Sequence, residues 1–216
     1  EDFSWLQNCL KGDFGTSYAY HRPVAELLMA RLWPTLKLSI LSMCLMLLVA
    51  VPVGMAQATH KNSIVDYTLR CLTFFGVSMP NFWVGLLLML LFCVQLKLLP
   101  VVSSGGDLKS LILPSVTLAF AMSAKYTRQV RTAILEELNQ DYVTGARARG
   151  VKEWRILWMN VFPNSLLPLL TMLGLSLGSL LGGTAVVEVI FSYPGMGSLA
   201  VAAITAYDYP LIQGYV

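Results

Sequence analysis

LSILSMCLMLLVAVPVGMAQAT, residues 38–59, holds no charged side chain and lies between Lys37 and the His60–Lys61 pair. As a helix, a run of this length reaches about 33 Å, enough to cross a hydrocarbon core about 30 Å thick. Outward from it, residues 71–96 form a second charge-free interval of 26 residues, 110–124 a third of 15 and 156–187 a fourth of 32. The third is short. It becomes a span only if Lys125, Arg128 and Arg131 snorkel or face protein and water. After Asp208, YPLIQGYV reads as the start of a fifth span. The 216 residues are 56% hydrophobic and 12% charged, about half the charge of a soluble domain, which excludes a soluble globular protein and a disordered one. The net charge of +3 is too weak and scattered for nucleic-acid binding. Cys9, Cys44, Cys71 and Cys93 have no CxxC spacing, so neither a disulfide framework nor a zinc site is implied. Because the chain begins with Glu1 and stops inside an apolar pattern, it reads as an excerpt of a longer polytopic protein.

The expected class is an all-α transmembrane bundle forming a single domain over 1–216. Residues 1–32 form an external segment, 33–58 a span, 66–96 a span broken near Pro80 and 110–135 a span. A cytoplasmic loop follows over 138–164, then a span over 165–190, an external segment over 191–208 and the start of a final span over 209–216. Loop charge sets this orientation. With 60–66 and 125–155 inside, the inner side carries nine basic and five acidic side chains, and the outer side six and seven. In the external segment GDFGTS (12–17) reads as a turn. Pro23 opens a helix whose Val24, Leu27, Leu28 and Leu32 share one face, as in a short helix lying on the membrane. Pro80 removes a helical hydrogen bond, and Asn81 beside it faces a transport path if the break exposes it; an ordinary proline kink is the alternative.

The loop LNQDYVTGARARGVKEWRILWMNVFPN (138–164) is the most informative segment. Asp141 is a candidate N-cap, Gly145, Ala146 and Ala148 are small, and Gly150 ends a short helix. In the next helix Val151, Trp154, Trp158 and Val161 make one apolar stripe, Lys152, Glu153, Arg155 and Asn160 cover the other faces, and Pro163 closes the segment. Composition alone also fits an interfacial helix that merely anchors a loop. Beyond the loop, Gly174, Gly178 and Gly182 recur every four residues, a pattern that lets helix backbones approach, either within one subunit or as a sliding seam against another. Glu188 ends that span, where an acid is expensive unless it pairs or meets water; a gate, a docking contact or a simple interfacial acid all fit.

TGARARG, nine residues and then NVFPN resembles the EAA motif of ABC importer permeases. Thr144, Gly145 and Asn160 depart from the general motif and agree with its peptide/nickel branch. GDFGTS, RLWPTLKLS, GVSMPNFW, VVEVIFSYPGMG and DYPLIQG are similar to further elements of that branch, in order from Gly12 to Gly214. The resemblance implies an inner-membrane, multi-pass permease that pairs with a second homologous permease, two ATPases and an external substrate-binding protein. ATPase coupling falls to Ala146, Arg147, Ala148, Arg149, Gly150, Val151, Lys152, Glu153, Trp154, Arg155, Trp158 and Pro163, with 151–161 as the coupling helix. The path or gate falls to Asn81, Gly174, Gly178, Gly182 and Glu188. No G-x-x-x-x-G-K-[ST] loop is present, so no cofactor is expected on this chain, and ATP and Mg belong to the partners. No metal site is expected, since His21 and His60 stand far apart and scattered Met reads as packing. GVSMPNFW resembles nickel-type permeases and tips the cargo to nickel or a nickel chelate, with di- or oligopeptides as the alternative. An intramembrane enzyme would need paired polar catalytic groups within the spans, which this sequence lacks. A passive channel would not need the amphipathic loop helix.

Overall fold

The computed structural model describes residues 12–100 and 108–216. The start of the external segment, with Cys9, and residues 101–107, between the expected spans 66–96 and 110–135, lie outside them. Among the described residues the chain is helical and holds no strand, with one isolated bridge between Thr16 and Pro23. Helix α1 is Val24–Thr59, and α2 (Ile64–Ser78) follows a turn. Ser63 caps α2, its hydroxyl accepting from the Asp66 N–H. At Met79 the backbone is extended (φ −84°, ψ 129°), as a residue before proline prefers, and α2 stops there. Helix α3 (Asn81–Met89) starts beyond Pro80 and runs into a π-helical stretch, Leu90–Gln95. Next come α4 (Leu108–Leu138), α5 (Asp141–Ala148) and α6 (Glu153–Ile156). Helix α6 passes through a π-helical stretch, Leu157–Val161, into α7 (Phe162–Gly183). Helices α8 (Ala185–Ile190), α9 (Met196–Thr205) and α10 (Tyr209–Tyr215) complete the order.

Two helical runs, Val24–Thr59 and Glu153–Leu181, are long and apolar enough to cross a membrane, and a third if the bent pair Ile64–Ser78 and Asn81–Gln95 counts as one. Helix α4 has the length, but its basic and acidic residues lower its apolarity.

The chain divides into two compact units. One comprises the described residues up to Leu41 with Phe82–Thr117 and Ser179–Val216; the other comprises Ser42–Asn81 and Leu118–Gly178. In the first, Val24 and Leu27 are buried against Leu199, Ala203 and Leu211, with Phe14, Leu28 and Ile212 packed around them. The stripe expected on a separate surface helix therefore faces α9 and α10, and residues 24–32 are the opening turns of the 36-residue α1. In the second unit, one core cluster joins Met55 and Ala58 of α1 with Val130 and Ile134 of α4, Val143 and Ala146 of α5, and Ile156, Val161 and Leu169. Another joins Met46, Ala50, Ala119 and Tyr126. The Tyr126 hydroxyl donates to the Met172 carbonyl at 2.8 Å and also bonds Ser176.

Candidate coupling surface and path residues

Helix α5 carries the TGARARG element. Gln140, not Asp141, occupies its N-cap, and Asp141 is the first helical residue, where its charge suits the helix dipole. The helix stops at Gly150, whose φ of +76° lies in the left-handed region that glycine enters without a Cβ clash. The Gly150 N–H donates to the Arg147 carbonyl at 2.9 Å and the Val151 N–H to the Ala146 carbonyl at 3.1 Å.

Arg147 reaches across this turn to Glu153. Its Nε and Nη2 donate to the two carboxylate oxygens at 2.7 and 3.1 Å, a bidentate clamp between α5 and α6. The guanidinium beside Glu153 holds that carboxyl below its ordinary value. Both side chains are exposed, so the clamp fixes geometry more than it stabilises the fold.

Helix α6 does not end at Pro163. It continues through Leu157–Val161 and Pro163 to Gly183. The π-helical stretch lies directly ahead of the proline, where the bonding pattern is already shifted and the missing N–H is tolerated. The buried face of this run is Ile156 and Val161, with Val151 and Leu157 partly covered. Trp154 is 60% and Trp158 53% exposed, and Met159 is exposed beside them. Of the expected apolar stripe, Val151 and Val161 turn inward while both tryptophans turn outward; Trp158 packs edge-on against Phe162 with centroids 5.5 Å apart. Ile156 is the inward residue outside that stripe; it stands five residues from both Val151 and Val161, off the three-and-four spacing that defines the stripe. Ala146 is buried in the same core, whereas Ala148, Arg149, Lys152, Arg155 and Pro163 are exposed.

Among the path candidates, Asn81 is exposed at the first residue of α3. Gly174 and Gly178 are exposed, and a Cβ at either would meet nothing within 4 Å, so these two glycines do not serve close packing within the described chain. Gly182 lies near the end of α7.

Glu188 has a different setting. It is fully buried in the first unit. Thr35 Oγ1 and Thr184 Oγ1 each donate to its Oε1 at 2.8 Å, and the Ser198 N–H donates to Oε2 at 2.8 Å. Thr35 Oγ1 in turn accepts from the Met196 N–H at 2.8 Å. The Tyr193 hydroxyl donates to the Pro34 carbonyl at 2.9 Å. This carboxyl thus ties the early part of α1 and the N-cap of α8 to the first turn of α9. Every one of these partners belongs to the chain itself.

A second clasp joins two sequence elements far apart. Asp208, the N-cap of α10, is fully buried. It accepts a hydrogen bond from the Ser17 hydroxyl, and bonds at 3.1 Å from each of the Tyr18 and Ala19 N–H groups. Burial pushes its carboxyl up, but the bonds from Ser17, Ala19, Tyr18 and Leu211 outweigh this and hold it below the ordinary carboxylate value. A depressed acid contributes stability above its unfolded value, about 3.9, and loses that contribution as pH falls through the folded value. Amide protection at Tyr18 and Ala19, corrected for intrinsic exchange, should therefore be full at neutral pH and fall once the pH drops below about 3.9. Asp208→Asn should lower protection already at neutral pH. Equal protection of the wild type at both pH values would count against the clasp. The Asp208 clasp has no trace in composition or spacing; its one sequence signal is that GDFGTS and DYPLIQG each carry a polar residue in a short motif.

The chain matches, over residues 50–216, the family described as binding-protein-dependent transport system inner membrane component. It is 42% identical to the oligopeptide transport system permease protein AppB of Bacillus subtilis (strain 168), with 97% of this chain and 69% of that protein covered. It is 35% identical to the probable D,D-dipeptide transport system permease protein DdpB of Escherichia coli (strain K12), covering 99% and 71%. The glutathione transport system permease protein GsiC of Salmonella typhi is 40% identical, covering 98% and 69%. In fold the chain is similar to an inward-facing MetNI methionine ABC transporter structure, with a TM-score of 0.72 at 18% identity over 87% of this chain and 86% of that one. It is also similar to an amino acid ABC transporter crystallised with histidines, with a TM-score of 0.65 at 18% identity over 88% and 84%. The relatives are named as permease proteins of transport systems, and this chain belongs to the family of inner-membrane components of binding-protein-dependent ABC importers.

Proposed function

We propose that the chain is a permease subunit of an ATP-driven importer of short peptides. The observation that carries the coupling part is the outward presentation of Trp154, Trp158 and Met159 on a helix whose other face, Ile156 and Val161, is buried in the core. Exposed aromatic side chains on a rigid support are the residue types that dominate protein interfaces. The Arg147–Glu153 clamp fixes the turn ahead of them. An ATPase subunit seated here would hold ATP and Mg itself and move this helix as a lever, biasing the permease between inward and outward states. Gly174 and Gly178, open in this chain, suit a close helix approach from a second permease, and an external binding protein would deliver cargo on the opposite side.

For the cargo, the relatives move the weight away from nickel. Those described above are named for oligopeptide, D,D-dipeptide and glutathione transport, which favours the peptide alternative. Uptake in cells lacking the gene decides between them. Labelled dipeptide uptake should fall to background and return with the gene, while labelled nickel uptake stays at the wild-type level. Loss of nickel uptake with normal peptide uptake would overturn the peptide reading.

A further inference from the structure

In the second unit a cavity of about 510 Å³ lies between α1, α2 and α4, lined among others by Gln57, Arg70, Phe74, Arg128 and Arg131. Its charge is one-sided. Arg70 and Arg131 both hold the buried Asp66: Arg70 Nε at 2.9 Å, and Arg131 Nε and Nη2 at 3.2 Å each. Arg128 has no acidic partner among the described residues. Three guanidiniums against one carboxylate leave two positive charges on the cavity wall. Gln57 is fully buried, and neither its amide nitrogen nor its amide oxygen has a hydrogen-bond partner among the described residues. An orphaned buried amide of this kind is costly unless something supplies both a donor and an acceptor. The rim is apolar. Phe74, Leu72 and Phe75 on α2 are 59–69% exposed.

We propose that this cavity is a binding site for an anionic phospholipid with a hydroxyl-bearing headgroup, of the phosphatidylglycerol type. The phosphate takes the guanidinium donors, which suit its oxygens in bidentate geometry. A glycerol hydroxyl satisfies Gln57 in both directions, donating to Oε1 and accepting from Nε2. An acyl chain lies over the exposed Phe74–Phe75 face of α2. The headgroup of phosphatidylethanolamine is rejected, because its ammonium would stand among like charges. The same arrangement explains how Arg70, Arg128 and Arg131 sit in a helical membrane protein: basic cavities between helices are where anionic headgroups are held. This site is independent of which cargo the importer carries.

The test is native mass spectrometry of the full-length permease with its co-purifying subunits, exchanged into equal phosphatidylglycerol and phosphatidylethanolamine and then delipidated. Phosphatidylglycerol should be retained in preference. Arg128→Gln removes one exposed charge without touching the core, and should reduce retained phosphatidylglycerol about fivefold. Gln57→Leu should narrow the preference for phosphatidylglycerol over phosphatidic acid, which lacks the headgroup hydroxyls. Lys97→Gln, an exposed lysine that does not line the cavity, should leave phosphatidylglycerol retention unchanged. Equal retention of the two lipids, an unchanged Arg128→Gln complex, or displacement of the lipid by inorganic phosphate alone would each overturn the proposal, the last by assigning the cavity to a soluble anion.

Discussion

Glu188→Ala is expected to destabilise the permease by about 3–5 kcal/mol and to lower its steady-state level in the membrane sharply. Truncation strands the hydroxyls of Thr35 and Thr184, both fully buried, and the Ser198 N–H in the first turn of α9. Glu188→Gln keeps the volume but replaces one acceptor oxygen by an NH2 group. If the amide oxygen faces the two threonines, the NH2 meets the Ser198 N–H, donor against donor; turned round, it leaves the threonines facing a donor. A loss between those of the wild type and Glu188→Ala is expected. The strongest check uses Gly195. A Cβ there would stand 2.3 Å from the Glu188 Cδ and Oε1 atoms, closer than any real contact. Gly195→Ala alone must push the carboxyl out of its bonds. In a Glu188→Ala background the obstructing atoms are gone, so adding Gly195→Ala should cost far less than it does in the wild type. Thermal unfolding of the four proteins in detergent measures this coupling. Additive losses would show that the two residues act independently and would remove the clasp from the account.

Glu188 also shows where reading the sequence reaches its limit. Its position at the end of an apolar run was plain, and so was the expense of an acid there. What the run could not show is that Thr35 and Ser198, 153 and 10 residues away, supply the donors. Tertiary hydrogen bonds of this separation leave no periodic trace. The same holds for Asp208 and Ser17, which are 191 residues apart. By contrast, the helical character of 38–59, the stop at Gly150 and the halt of α2 before Pro80 depend on charge-free length, glycine and proline, which are local properties and legible one residue at a time. Two local readings differed from the structure for physical reasons. A proline ahead of an apolar run predicts a terminus at Pro163, but the π-helical stretch Leu157–Val161 lets the helix run through it. The Val24–Leu32 stripe fits a helix lying on lipid, because periodicity identifies an apolar face without saying whether lipid or protein covers it; here α9 and α10 do.

The loop helix presents the same ambiguity, and a pair of substitutions resolves it. Trp154 and Trp158 share an apolar period with Val161, yet the structure turns the tryptophans out and Val161 in. Trp154→Ala and Trp158→Ala should leave the permease at its normal membrane level with an unchanged unfolding temperature, since neither indole belongs to the buried core. Interface tryptophans of this kind each contribute about 2 kcal/mol or more, or about 30-fold in affinity. The double variant should therefore lose its ATPase subunits on purification and show no coupled uptake. Ile156→Ala, two residues from each tryptophan, should behave in the opposite way. Ile156 is fully buried among Val143, Ala146 and Val161, so its truncation should cost about 2–5 kcal/mol of fold stability. ATPase capture by the fraction that still folds should be less affected. The contrast separates a docking surface from a packing surface within one turn of helix. If the tryptophan variants unfold while Ile156→Ala abolishes ATPase capture in a stable protein, the faces have been assigned the wrong way round. If both tryptophan variants assemble and transport normally, the lever lies elsewhere in the chain.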